Sequence, residues 1–184
     1  MWGVKDKHSG RTAPWTLAAL VAVAAVDQLS KWIVVETLEP RTAVPVIGDV
    51  ARFYLLRNSG AAFSLGENAT VFLACLQAAA VVLCAVLAFR VRSPWSAAAA
   101  ALIGGGAAGN LVDRLFRDPG GLRGHVVDFI SVGDFAVFNL ADSAITLGVV
   151  AYLVYALIVE PRSARSARPA QSAGSARSVQ GEDR

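Results

Sequence analysis

Apolar residues in this chain fall into four long blocks, at about residues 15–35, 70–89, 95–112 and 141–159, and polar positions gather between the blocks instead of alternating within them. Each block approaches the roughly 20 residues, at about 1.5 Å of rise each, that a helix needs to cross a bilayer core. The pattern predicts an all-α membrane protein built as a four-helix transmembrane bundle. Composition agrees, with 55% hydrophobic and 17% charged residues in 184, because a soluble chain of this length buries its core without uninterrupted apolar runs of that size. The first block follows Lys5, Lys7 and Arg11 in the manner of a cleaved leader, but its length and the internal Asp27-Gln28-Leu29-Ser30-Lys31 argue for a retained span.

Charge sets the expected orientation. Lys5, Lys7 and Arg11 precede the first span, Arg90 and Arg92 lie between the second and third, and Arg162, Arg165 and Arg168 follow the fourth. Basic residues of short loops stay on the cytoplasmic side, so both termini are expected inside and the two longer connections, Glu36 to Ala69 and Asp113 to Leu140, outside. Trp15, Trp95, Tyr152 and Tyr155 near the inner ends and Trp32 near the outer end fit an interfacial aromatic belt. Cys75 and Cys84 share one helix too far apart for a disulfide and read as buried small apolar residues. Residues 1–160 form one membrane domain; the Ser-Ala-Arg tail at 161–184 reads as a disordered basic cytoplasmic segment that either touches anionic headgroups or only fixes orientation.

Ionisable groups at membrane depth are costly, so each is a functional candidate. Asp27 and Lys31 stand four apart on one helix face, where they either neutralise each other or brace a site formed by the outer loops. Gly104-Gly105-Gly106-Ala107-Ala108-Gly109-Asn110 reads as a close helix contact. It is followed by Asp113 and Arg114, which with Asn110 make either a helix-end cap with a local ion pair or a cluster that orients a catalytic group. His125-Val126-Val127-Asp128-Phe129-Ile130 sets a carboxylate among apolar and β-branched neighbours in an extended segment. Desolvation there favours the protonated form and a proton-donor role, unless Asp128 pairs with Arg123 or Arg114. In Phe138-Asn139-Leu140-Ala141-Asp142-Ser143, Asn139 caps the fourth span and Asp142 faces the positive end of the helix dipole. Beside Asp128, Asp142 also completes a carboxylate pair able to share a proton and activate water. The pair assigns the proton to Asp128 and the negative charge to Asp142. His8 and His125, with Cys75 and Cys84 inside a span, are too few for a zinc peptidase site, and Ser59 and Ser64 lack a Gly-x-Ser-x-Gly setting.

Five blocks in this order resemble the lipoprotein signal peptidase (signal peptidase II) family: Asp27-Gln28 with Lys31; Arg57-Asn58-Ser59-Gly60-Ala61-Ala62-Phe63-Ser64; Gly105 to Asn110 with Asp113-Arg114; Val127-Asp128-Phe129; and Phe138-Asn139 with Ala141-Asp142. The resemblance implies a multi-pass enzyme of the bacterial inner membrane, with its site near the extracytoplasmic face, that removes signal peptides from diacylglyceryl-modified prolipoproteins before the lipidated cysteine. It implies Asp128 and Asp142 as catalytic dyad, Asn58, Gly106, Asn110, Arg114, Asn139 and Ala141 lining the site, and Asp27, Lys31 and Asp113 in support. It implies inhibition by globomycin and a first outer loop forming a small sheet, to which the strand-like Arg52-Phe53-Tyr54-Leu55-Leu56 contributes, with a short surface helix. No cofactor, metal or nucleic acid is expected; the partners are prolipoproteins and membrane lipids, and the chain is expected to be a monomer. Ile130 to Val137 is short for the family. The competing reading is a small proton-coupled transporter or channel in which Asp27, Asp113, Asp128 and Asp142 relay protons through the membrane.

Overall fold

The computed structural model describes residues 12–60 and 67–161. The tail and the segment 61–66, part of the first long connection, lie outside these residues. Four helices are long and apolar enough to cross a membrane: α1 (Ala13–Thr37), α2 (Glu67–Ala88), α3 (Pro94–Phe116) and α4 (Leu140–Val154), the last continued by a π-helical turn at Tyr155–Val159. Pro14 and Pro94 open α1 and α3, where the missing N–H costs nothing and the fixed φ suits the first turn.

Small residues decide which helix sits in the middle. Half of the apolar window of α3 is buried, against 22%, 17% and 11% for α1, α2 and α4, so α3 is the shared partner of the other three. Its glycines allow the approach. A Cβ at Gly104 or Gly105 would collide with Leu20 or Val23 of α1, and one at Gly106 with the carbonyl of Ala141 on α4. Backbones that close gain dispersion contacts, the main attraction between helices in lipid. The outward faces carry exposed Val21, Leu29, Phe72, Leu83, Leu147 and Leu153, a surface that only an apolar solvent tolerates.

Two sequence expectations change. The third span runs past Val112 to Phe116, because Asp113 and Arg114 are buried on the bundle side of α3 and do not begin a loop. Cys84 is buried but Cys75 is exposed; nine residues at about 100° each turn the helix by roughly two and a half revolutions, which puts the two thiols on opposite faces.

A three-stranded antiparallel sheet, β1 (Ala43–Ile47), β2 (Ala51–Asn58) and β3 (Val126–Val132), stands at the C-terminal end of α1, with β2 central. Val34 of α1 packs with Leu55, Val127 and Phe129 in a core shared by helix and sheet. The register places Leu56 opposite Asp128 and Asn58 opposite Val126. Beyond β3 the chain turns at Gly133 (φ 51°), and Phe138 pairs back on Ile130. The Phe138 carbonyl accepts the N–H groups of Phe129 and Ile130 at 3.0 and 2.8 Å. The short stretch 130–137 is therefore a closed loop that returns the chain beside Asp128 and starts α4 there.

Candidate active site

Asp128 and Asp142 meet through one residue, Asn139. Asn139 is the N-cap of α4: its Oδ1 accepts the N–H of Asp142 at 2.9 Å, and its own backbone N–H is donated to Asp142 Oδ2 at 3.2 Å, a reciprocal capping box. The Nδ2 of the same residue donates to Asp128 Oδ1 at 2.6 Å. Asn58, on the neighbouring strand, donates to Asp128 Oδ2 at 2.9 Å, and Asn110 of α3 donates to Asp142 Oδ1 at 2.8 Å. Neither Arg123 nor Arg114 forms an ion pair with Asp128 among the described residues; its hydrogen-bond partners are the two amides. Asn58 is held for this purpose by an Asx turn in which its Oδ1 accepts the N–H of Gly60.

Asp128 is 2% exposed. Burial pushes its carboxyl up to about 6, the hydrogen bond from Asn58 opposes that rise, and the negative charge of Asp142 adds to it. Asp142, at the N-terminus of α4, has backbone N–H groups and the helix dipole to hold a negative charge.

The supporting residues form a second layer. Lys31 is fully buried and lies 2.8 Å from Asp27 Oδ2, 2.8 Å from Asp113 Oδ2 and 2.8 Å from Asn110 Oδ1. The Asp27–Lys31 pair is thus part of a triad that spans α1 and α3. Asp27 Oδ1 accepts the N–H of Ala141, and Asp113 Oδ2 accepts that of Val127. Ala141 is buried against Gly106, so these two act through close backbone packing. Sequence reading missed Arg117, whose Nε donates to Asp113 Oδ1 at 2.6 Å; the signal was its position one turn beyond Asp113. It also missed Gly124, where a Cβ would collide with the carbonyls of Asp113, Arg117 and Arg114.

Arg114 is 4% exposed, yet its Nε and Nη1 have no hydrogen-bond partner among the described residues. Asp128, Asp113 and Asp142 are the carboxylates that surround it. Next to Asp142 a groove of about 600 Å³ runs between the loop residues Phe135, Val137 and Phe138 and the α4 residues Ser143, Thr146 and Leu147.

The model of the family described as signal peptidase (SPase) II matches residues 19–158. The chain belongs to the signal peptidase II family. It is 45% identical over 161 residues to the lipoprotein signal peptidase of Mycobacterium avium (strain 104), covering 83% of this chain and 88% of that one. It is 49% identical over 137 residues to the lipoprotein signal peptidase of Streptomyces coelicolor (strain M145), covering 72% and 67%. A solved bacterial membrane enzyme superposes with a TM-score of 0.72 at 27% identity over 82% of this chain and 97% of that chain. The family and the four apolar helices make this chain a membrane protease. A transport relay needs carboxylates spread through the depth of the bilayer, whereas Asp27, Asp113, Asp128 and Asp142 belong to one connected network at the sheet end of the bundle.

Proposed function

We propose that this protein is an aspartyl endopeptidase that removes signal peptides from prolipoproteins, cutting before a diacylglyceryl-modified cysteine, with Asp128 and Asp142 as its dyad. The observation that carries the reading is the bridge made by Asn139, which touches both carboxylates. In the reactive form Asp142 is ionised and Asp128 carries a proton. Asp142 takes a proton from water as the water oxygen bonds to the scissile carbonyl carbon, and Asp128 protonates the carbonyl oxygen. The tetrahedral species then collapses: the C–N bond breaks, the amine leaves with a proton delivered by the dyad, and a carboxylic acid remains on the signal peptide. Arg114, whose buried Nε and Nη1 have no hydrogen-bond partner among the described residues, steadies the negative charge that develops at that oxygen. The groove beside Asp142 suits an acyl chain or the apolar signal segment.

The direct test incubates the purified protein with a diacylglyceryl-modified prolipoprotein. A shortened product insensitive to EDTA, and blocked by peptide mimics that carry a hydroxyl in place of the attacking water, is the expected result. Loss of activity in EDTA would replace the dyad by a metal.

The orientation follows from the basic residues, and it sets the dyad near the extracytoplasmic face with both termini inside. Reporter fusions at Arg92 and after Arg162 are expected to read as cytoplasmic, and a fusion near Glu67 as external. An external reading after Arg162 would overturn this arrangement.

Activity should also report the state of Asp128. Raised to about 6, it holds its proton below that value and loses it above, so kcat/KM falls as pH rises through the upper apparent pKa of the pair. Asn58→Ala removes a hydrogen bond that favours the ionised form. The protonated form then persists to higher pH, and the alkaline limb moves up by roughly one pH unit. A limb that stays in place or moves down would separate Asn58 from the titration.

A further inference from the structure

The polar layer beneath the dyad repeats one motif twice. Asp113 Oδ2 accepts the N–H of Val127 at 3.2 Å, and Val127 immediately precedes Asp128. Asp27 Oδ1 accepts the N–H of Ala141 at 2.9 Å, and Ala141 immediately precedes Asp142. Each dyad residue is therefore fixed, one rigid peptide plane away, by a carboxylate from a helix that is not its own. Both of those carboxylates rest on the same ammonium, Lys31 Nζ, at 2.8 Å each. Its remaining N–H goes to Asn110 Oδ1, and Asn110 Nδ2 holds Asp142. An ammonium has three donors, and all three lead to the dyad.

We infer that Lys31 is the positioning residue that sets the separation of the two dyad carboxylates, acting through Asp27 on the Asp142 side and through Asp113 on the Asp128 side. This inference rests on the proposed dyad.

Physical chemistry favours a geometric role over a purely stabilising one. Lys31, Asp27 and Asp113 are each at most 1% exposed, and buried ion pairs of that kind are commonly no more stabilising than well-packed apolar residues. What the ammonium supplies is a fixed distance: two carboxylates that would repel each other are each drawn to one nitrogen. Space for the arrangement comes from Gly109, where a Cβ would collide with the Asp27 carboxylate. Gln28 Nε2 spans the same gap, donating to the Gly109 carbonyl at 2.9 Å and to Asp113 Oδ1 at 3.1 Å.

The test compares kcat with KM. Lys31→Met keeps the length of the side chain and removes the ammonium. The dyad should then lose its spacing while the groove beside α4 is untouched, so kcat falls on the order of 10²-fold and KM stays close to wild type. Because Lys31→Met leaves two facing carboxylates that can prevent folding, the variant Lys31→Met/Asp27→Asn/Asp113→Asn is made beside it. It carries none of the three charges of the triad and keeps an amide oxygen for each of the Val127 and Ala141 N–H groups, and its kcat should remain low. A third arm uses Asp27→Asn and Asp113→Asn, singly and together in the otherwise intact chain. Acting through one ammonium, their losses in kcat should combine to less than their product.

Wild-type kcat in the triple variant, a loss confined to KM, or independent losses in the paired variants would each overturn the role of Lys31. Asp128→Asn is assayed alongside, and substantial turnover in that variant would overturn the dyad itself, an outcome distinct from any failure of the Lys31 arms.

Discussion

Asp128→Asn and Asp142→Asn each abolish cleavage of a diacylglyceryl-modified prolipoprotein while the protein still inserts at normal levels: this is the largest effect expected for this molecule. The substitutions change one atom in volume terms, and an amide oxygen remains for one of the donors that Asn58, Asn139 and Asn110 direct at these positions. What is lost is the ability to take and return a proton. General acid–base catalysis alone contributes about 10² to 10⁴-fold, and the dyad also generates the nucleophile. Groups that act as a unit do not lose activity additively, so the double variant should be no slower than the worse single one. The measurement is appearance of the shortened lipoprotein by mass, with the amount of inserted enzyme matched. Turnover within about tenfold of wild type in either variant is too small a loss for a proton-transferring group and would take that residue out of the dyad.

Asn139→Ala is expected to be the most damaging change outside the dyad. It removes the N-cap of α4, worth about 0.5–2 kcal/mol of stability, and in the same step removes the 2.6 Å hydrogen bond to Asp128 Oδ1. Asp128 is left with the Asn58 amide alone and the backbone N–H of Asp142 loses its cap, so kcat should drop by at least about 10²-fold, the scale of an ångström-level displacement. The residual activity should have an altered pH profile. Sequence reasoning assigns Asn139 to Asp142 and expects movement mainly of the acidic limb. The hydrogen bond to Asp128 changes that expectation, because it favours the ionised form of a carboxyl already raised to about 6. Without it the protonated form persists to higher pH, and the alkaline limb moves up as well. An alkaline limb that does not move would show that the bridge is not felt by Asp128.

What was legible in the sequence was local. Asn139 and Asp142, three apart at the start of an apolar run, announce a capping box, and Asp27 and Lys31, four apart, announce a shared face. An aspartate among valines and a phenylalanine announces a desolvated carboxyl, because few structural roles place one there. The parts that were not legible depend on elements distant in sequence. Nothing near Lys31 shows that Asp113 shares its ammonium, or that the backbone N–H of Val127 lies within reach of Asp113. The end of α3 was misjudged for a related reason: Asp113 and Arg114 look like loop residues on any hydropathy argument, and it is Lys31 of α1 and the Val127 N–H of β3 that make a helical, buried position tolerable for Asp113. The sheet was half visible, since β2 carries the aromatic and apolar run Phe53-Tyr54-Leu55-Leu56 of a strand while its pairing with β3 comes from the second loop.

The groove beside Asp142 has a kinetic consequence. Two of its walls, Phe135 and Leu147, are apolar side chains 70% and 61% exposed, so under the proposed function a lipid-anchored substrate would reach the dyad sideways, by diffusion in the plane of the membrane. For an encounter in two dimensions the governing concentration is the mole fraction of substrate among lipids. Adding buffer to a suspension of proteoliposomes should leave the turnover per enzyme unchanged, whereas fusing the same vesicles with empty ones should slow it in proportion to the added lipid. A Michaelis constant for this enzyme is then properly a surface density.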